Sequence, residues 1–223
     1  MKQVDVLLDW VREHDIDASG VTRVFSALDA GGMALPGLEV QPFYDPAGFA
    51  WTAWVASQSA PLKAELAALA DRCEVHPESD RLLRRGRWRA LFLWRRGRQR
   101  SVESDVAPVG VATAAAVPGG GSAGNAYFSI LDPGTEIVPH IGHFNARLRC
   151  HVGLSIPPGA WIEVAGVRRE WQAGGCLVFS DALTHHVAND GLEARAVFTF
   201  DFWHPGVTLV ERAALSMLLQ SQL

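Results

Sequence analysis

Between Asn125 and Trp203 the chain is cut into short β-prone runs by turn signals, and this rhythm constrains its fold more than any other feature. Residues 126–131 (AYFSIL) stop at Asp132-Pro133-Gly134, and residues 146–156 stop at Pro157-Pro158-Gly159. Residues 161–164 and 167–171 flank Ala165-Gly166 and read as a hairpin, and residues 177–179 and 194–203 complete the set. Many short strands at this spacing predict an all-β barrel or jelly roll. The run 146–156 also has two unlike faces. Side chains alternate along a strand, so Arg147, Arg149, His151 and Gly153 project one way and Leu148, Cys150, Val152 and Leu154 the other. In a barrel mouth the first face builds a charged pocket, because buried guanidinium groups require anionic partners. Arg195, at the start of another run, can reach the same pocket.

The part before Asn125 reads mostly as helix. Val4, Val6, Leu7, Leu8, Trp10 and Val11 recur at helical spacing, as do Val21, Val24, Phe25 and Leu28. Ser19 is a suitable N-cap for the second helix and Gly31-Gly32 a stop, so residues 1–40 are expected as a helical N-terminal extension. Pro42 to Pro46 reads as a turn, and residues 51–73 as a supporting helix with Leu62, Leu66 and Leu69 on one face. Ala112 to Gly124 is of low complexity. Its alanines favour a short helix, then Pro118 and the glycines force a loop that either joins two parts of one domain or forms a mobile lid. Residues after Pro205 read as a tail. The expected fold class is therefore mainly β with N-terminal helices, with one domain from 41 to 223.

Arg81 to Arg100 holds nine arginines interleaved with Trp88, Phe92 and Trp94, a pattern compatible with nucleic acid. The net charge of −4 argues against that partner, and residues 88–94 read as a strand flanked by solvated charge or by groups for an anionic substrate. Cys73, Cys150 and Cys176 are odd in number and lack CxxC spacing, which argues against a disulfide framework or a zinc ribbon. No apolar run approaches the ~20 residues that span a bilayer. Acidic Asp5 near the start breaks any signal-peptide pattern, so a cytoplasmic location is expected. Nothing in the sequence fixes an oligomeric state.

Most of the histidines fall between Phe128 and Pro205. His140 follows Pro139, and His185 lies just after the Phe179-Ser180-Asp181 strand end. Neutral imidazole suits ferrous iron, copper, nickel and zinc. Two histidines on neighbouring jelly-roll strands form the base of a non-haem iron site, whose usual carboxylate would stand two residues after the first; here that residue is Gly142. His143 and His186, each beside or near a candidate ligand, are the alternatives by spacing. His14, His76 and His204 read as structural.

The blocks FSILDPGT, PHIGHFNARLRCHVGL, FSDALTHHV and FDFWHP resemble the aspartyl/asparaginyl β-hydroxylase family of iron(II)- and 2-oxoglutarate-dependent oxygenases. With the weaker FYDP and GRW…LFLW segments, the resemblance runs from about Pro42 to the C-terminus and leaves residues 1–40 outside. It implies a double-stranded β-helix, cupin-like fold and a two-histidine iron site, so the missing carboxylate is in pattern. Block by block, it implies His140 and His185 as iron ligands and Arg195 as the partner of the distal 2-oxoglutarate carboxylate. It implies Ser129, Arg149 and His151 as further cosubstrate contacts, Arg147 and Trp88 as substrate-facing, and Asp181 as an acid near the metal that holds water. A cysteine pair that closes a loop in animal members has no counterpart here.

The implied activity is hydroxylation of an unactivated carbon with iron(II), 2-oxoglutarate and O2. The implied target is the β-carbon of an Asp or Asn residue in a peptide, protein or amino-acid-derived substrate. Two rivals follow from the same residues. A halogenase would place chloride where the carboxylate is missing, and a non-catalytic barrel would bind a small acid without turnover.

Overall fold

The computed structural model describes residues 3–142 and 144–221. Its strands are β1 (Phe43–Tyr44), β2 (Glu74–Val75), β3 (Leu83–Arg85), β4 (Trp88–Arg95), β5 (Arg98–Gln99), β6 (Ala126–Leu131), β7 (Thr135–His140), β8 (Arg147–Ser155), β9 (Ala160–Val164), β10 (Val167–Glu170), β11 (Cys176–Phe179), β12 (His185–Asn189) and β13 (Arg195–Trp203). Its helices are α1 (Gln3–Glu13), α2 (Thr22–Asp29), α3 (Thr52–Ser57), α4 (Ser59–Leu69), α5 (Ser79–Leu82), α6 (Ser101–Val106), α7 (Pro108–Ala115) and α8 (Leu209–Ser221).

The strands form two sheets in which every pairing is antiparallel. The larger has the order β1-β11-β8-β13-β6-β4-β2, with β5 beside β4, and the smaller the order β10-β9-β12-β7-β3. From β6 to β13 the chain passes from sheet to sheet at every step except within the β9–β10 hairpin. That winding is the jelly roll, or double-stranded β-helix, expected from the sequence. The hairpin turns on Ala165 (φ 48°) and Gly166 (φ 79°), with Val164 paired to Val167. Two left-handed residues in succession match the twist of the flanking strands.

The two faces of β8 decide how the layers stack. Leu148, Cys150, Val152 and Leu154 join Phe128, Phe198 and the leucines of α4 in a core between the large sheet and its covering helices. A second core, including Phe43, Leu131, Ile162, Phe179 and Val197, lies between the sheets. Covered on both sides, β13 is buried at all of its positions, as expected of a strand in mid-structure.

A third cluster unites the two chain ends. Leu7, Val24 and Leu28 of α1 and α2 pack on Leu215 and Leu218 of α8 and on Trp203. Arg23 donates to both carboxylate oxygens of buried Glu211, at 2.7 and 2.6 Å. The segment read as a tail is thus a helix that anchors the N-terminal hairpin. Ser19 does not cap α2. Asp17 instead accepts from the Ser19 N–H at the start of a 3₁₀ turn, and α2 begins at Thr22. The supporting helix is broken at Gln58 into α3 and α4, and the Pro42–Pro46 turn contains β1, which pairs with β11.

The glycine-rich loop after α7 is packed, not a lid. A Cβ on Gly119 would overlap the Trp203 indole, and one on Gly121 would come within 2.6 Å of Trp94. Both residues have φ +81°. Glycine here admits a close approach and a left-handed backbone together. Gly119→Ala is expected to lower the unfolding free energy by about 2–4 kcal/mol, the sum of left-handed strain and overpacking. Urea denaturation monitored by tryptophan fluorescence would detect it, and an unchanged midpoint would mean that the loop yields freely.

Candidate active site

A cavity of about 540 Å3 opens between the sheets at one end of the barrel. Trp88, Ser129, His140, Arg147, Arg149, His151, Asp181, His185 and Arg195, spread over more than a hundred residues of sequence, all line it.

His140 and His185 are cross-strand partners on β7 and β12, and their ring centroids lie 4.0 Å apart. A β-bulge makes this possible. Between the pairs Val187–Ile137 and His185–His140, β12 advances two residues and β7 three. The additional residue restores inward orientation, so Ile137 and His140 both face the cavity although their parity differs. Pro139, which has no N–H to lose from a ladder, sits within the bulge.

The hydrogen bonds of these rings assign their tautomers. His140 Nδ1 lies 2.8 Å from the Val138 carbonyl and His185 Nδ1 2.9 Å from that of Leu183. A carbonyl only accepts, so each Nδ1 carries the hydrogen and each Nε2 keeps a lone pair. Burial lowers the His140 pKa, and burial together with the facing His140 brings His185 down to about 4, so both rings are neutral at pH 7. His151 has the opposite tautomer. Its Nδ1 accepts from the Trp171 indole N–H at 3.1 Å, which leaves Nε2–H as a donor. Burial, then Arg195 and Arg149, push its pKa well down and keep it neutral.

His186, the neighbour of His185, does not line the cavity. It bonds Glu136 at 3.1 Å and packs edge-on against Trp161, away from the cavity. His143 lies outside the described residues. Gly142 is held by its N–H to the Asp181 carbonyl at 2.7 Å, and a Cβ there would come within 3.1 Å of the Asp181 carboxylate. The carboxylate of Asp181 thus stands against the place where a side chain at 142 would begin.

The floor is a buried network of four charges. Arg149 donates to Asp201 from Nε at 2.8 Å and lies 3.1 Å from Asp181; Arg147 reaches Asp181 at 3.3 Å and Asp201 at 3.5 Å. Asp201 is fully buried and sits directly opposite Arg149 on β13. Burial opposes the charge on Arg149, but Asp201 and Asp181 outweigh it and raise the pKa. Burial likewise opposes ionisation of Asp181, and Arg149 and Arg147 overcome it.

Arg195 stands apart. It is 2% exposed, its Nε has no partner, and its Nη1 makes only long contacts of 3.4 Å to the Ser129 carbonyl and hydroxyl. Its guanidinium lies over the Trp171 ring at 4.6 Å. Burial depresses its pKa to about 9, which leaves it charged at pH 7. Among the described residues no carboxylate pairs with it.

Three contributors were not foreseen as site residues. His76, read as structural, stacks on Trp88 at 3.4 Å and lines the cavity, and burial takes its pKa to about 3. Tyr127 stacks on Phe92 at 4.5 Å along the same wall. Asp201 was hidden in an apolar run, and its signal was that it is the lone acid in VFTFDFW. The arginine-rich stretch is largely neutralised: Arg81, Arg84, Arg85, Arg89 and Arg100 all pair with acids.

Fold and site together define a cupin-like barrel with a polar, cation-lined interior and an imidazole pair at its mouth. The model of the aspartyl/asparaginyl beta-hydroxylase family matches residues 57–205. The chain is 34% identical to the human protein named aspartyl/asparaginyl beta-hydroxylase over 187 residues, which covers 80% of this chain and 25% of that one. It is 45% identical to mouse aspartate beta-hydroxylase domain-containing protein 1 over 98 residues, 43% of this chain and 27% of the relative. A crystal structure of a Pseudomonas putida prolyl-4-hydroxylase superposes with a TM-score of 0.44 at 18% identity, covering 68% of this chain and 88% of that one. The chain belongs to the aspartyl/asparaginyl β-hydroxylase family and spans about a quarter of the length of the curated relatives it matches.

Removing one member of a buried charge network strands the others. Asp201→Ala should therefore cost about 3–5 kcal/mol of stability, whereas truncating an exposed member of the Arg81–Glu78 pair should cost no more than about 1 kcal/mol. Urea titration of the two variants would compare them directly; equal losses would contradict the burial argument.

Proposed function

We propose that this chain is an iron(II)- and 2-oxoglutarate-dependent dioxygenase that hydroxylates the β-carbon of an Asp or Asn residue in a peptide, protein or amino-acid-derived substrate. Residues 41–223 are the catalytic domain in this reading and residues 1–40 a helical extension. The carrying observation is Arg195, a buried guanidinium that among the described residues has no carboxylate of its own, in the same cavity as two neutral imidazoles with free Nε2 lone pairs. Such a cation requires an anion from outside the chain.

The donor set fits the groups. His140 and His185 would hold the metal through Nε2, their rings fixed by the Val138 and Leu183 carbonyls. The metal and 2-oxoglutarate would supply activation of O2, and the protein supplies position and charge. Arg195 neutralises the distal carboxylate of the cosubstrate, with Ser129 beside it and Trp171 closing it from water. His151 offers Nε2–H as a donor, and Arg149 adds positive charge. Asp181 Oδ1, buried without a hydrogen-bond partner, would accept a hydrogen bond from a water held near the metal. Arg147, half committed to the two aspartates, turns its remaining donors to a substrate carboxylate, and Trp88 walls that side.

The rivals fare less well. A halogenase needs space for an anion beside Gly142, and the Asp181 carboxylate already stands there. A barrel that only bound an acid would need Arg195 but not a preoriented imidazole pair. A cytoplasmic setting fits the three free thiols. Among the described residues no helix is long and apolar enough to cross a membrane.

The test is anaerobic addition of iron(II) and 2-oxoglutarate, read by the visible metal-to-cosubstrate charge-transfer band. The wild type should develop the band and His140→Ala should not. Folded wild-type protein without a band would sink the proposal. Arg195→Met separates stability from binding. It should raise the unfolding free energy of the ligand-free protein by about 1–2 kcal/mol, since an unpaired buried charge is removed, while weakening 2-oxoglutarate binding roughly a hundredfold or more.

A further inference from the structure

A second cavity, of about 320 Å3, adjoins the first, and Pro77, Phe92 and Arg95 line both. Nothing in the proposed chemistry uses it. Leu91 of β4 forms part of its base, and Val75 of β2 and Val102 of α6 stand at its sides, 57% and 69% exposed. The two bare valines face each other across one trough, a small apolar contact that a single side chain could fill. The trough is also cationic. Arg72, Arg95 and Arg100 face Glu74 and Glu103, and Arg100 is already paired with Glu103 at 3.0 Å. Arg95 lies over the Phe92 ring at 5.8 Å, and that ring stacks on Tyr127 deeper in the first cavity. An aromatic wall therefore leads from the imidazole end out to Arg95 and over into the trough. β2 is the terminal strand of the large sheet, so its outer edge can receive an extended chain.

A free amino acid would be accommodated in the first cavity and would leave the trough without a role. A chain that continues past the reacting residue would use both. Resting on the hydroxylase reading above, we propose that the trough is a subsite for the flank of a peptide substrate. It takes an apolar side chain between Val75 and Val102 and an acidic one against Arg72 and Arg95. The substrate class is accordingly a peptide or an unfolded protein segment with an apolar and an acidic residue beside the target Asp or Asn.

The experiment compares peptide-stimulated succinate formation by the iron-loaded protein across three probes. Two are peptides of about ten residues, roughly 33 Å when extended, with a central Asp and a Leu-Glu pair on its N-terminal or its C-terminal side. The third is N-acetyl-aspartate methylamide. One of the flanked peptides should have a KM lower than that of the amide by roughly tenfold or more, the scale of one anchored side chain. In Arg72→Glu and in Val102→Glu, both at exposed positions, that advantage should shrink to within about twofold, since a tenfold change corresponds to only 1.4 kcal/mol. Both variants should keep the charge-transfer band, which reports on the deep site. Equal KM values for all probes in the wild type, or an advantage that survives both substitutions, overturns the subsite. Absence of turnover with every peptide while the band is intact also overturns it and leaves the cosubstrate site standing. Loss of the band in the wild type refutes the hydroxylase reading itself.

Discussion

The site depends on burying the polar face of one strand. Three residues of β8, Arg147, Arg149 and His151, point between the sheets, where charge is costly. The chain makes this tenable by placing Asp201 directly opposite Arg149 on the central strand and Asp181 at the turn that follows β11. Two cations and two anions then compensate each other, and each carboxylate is shared. Such a quartet adds little net stability over apolar packing. What it supplies is a rigid, charged floor whose members cannot rotate away without stranding a partner. The helices on the other side of the sheet serve the same end, because their core holds the apolar face of β8 and so fixes which way its arginines turn.

Arg195 is the deliberate exception to that compensation. Four charges of the floor are matched within the protein, and the fifth has no acidic partner among the described residues. A satisfied network and an unsatisfied cation thus stand side by side in one cavity, and in the proposed reading the second is the binding position. The three histidines repeat the contrast in another form, two offering lone pairs and one offering a hydrogen from nearly the same surface.

Much of this was legible in the sequence, for reasons that can be named. The alternation in β8 exposed its charged face because period two is unambiguous when one face is wholly apolar. The hairpin at Ala165-Gly166 and the winding of short strands followed from turn residues. β7 and β12 were harder to see. A proline and a bulge interrupt the first, and paired histidines with no apolar alternation open the second, although these two strands carry the imidazole pair. His76 sits outside any regular strand, so only tertiary stacking on Trp88 brings it to the cavity. The glycine-rich loop has the composition of a flexible linker; it is packed because two tryptophans need a neighbour without side chains, a long-range demand that composition cannot reveal.

The bulge in β7 has a consequence for how such a chain can change over evolutionary time. Substitutions at Val138 or Pro139 alter side chains but preserve the count of residues between Ile137 and His140. Losing either residue would shift the strand by one and turn the His140 imidazole out to the far side of the small sheet, with every flanking side chain intact. The inward position of the His140 imidazole is thus protected against drift in residue type and exposed to a change in length. Among related chains, the spacing from the acid-bearing start of β7 to its terminal histidine should vary less than the residues that fill it.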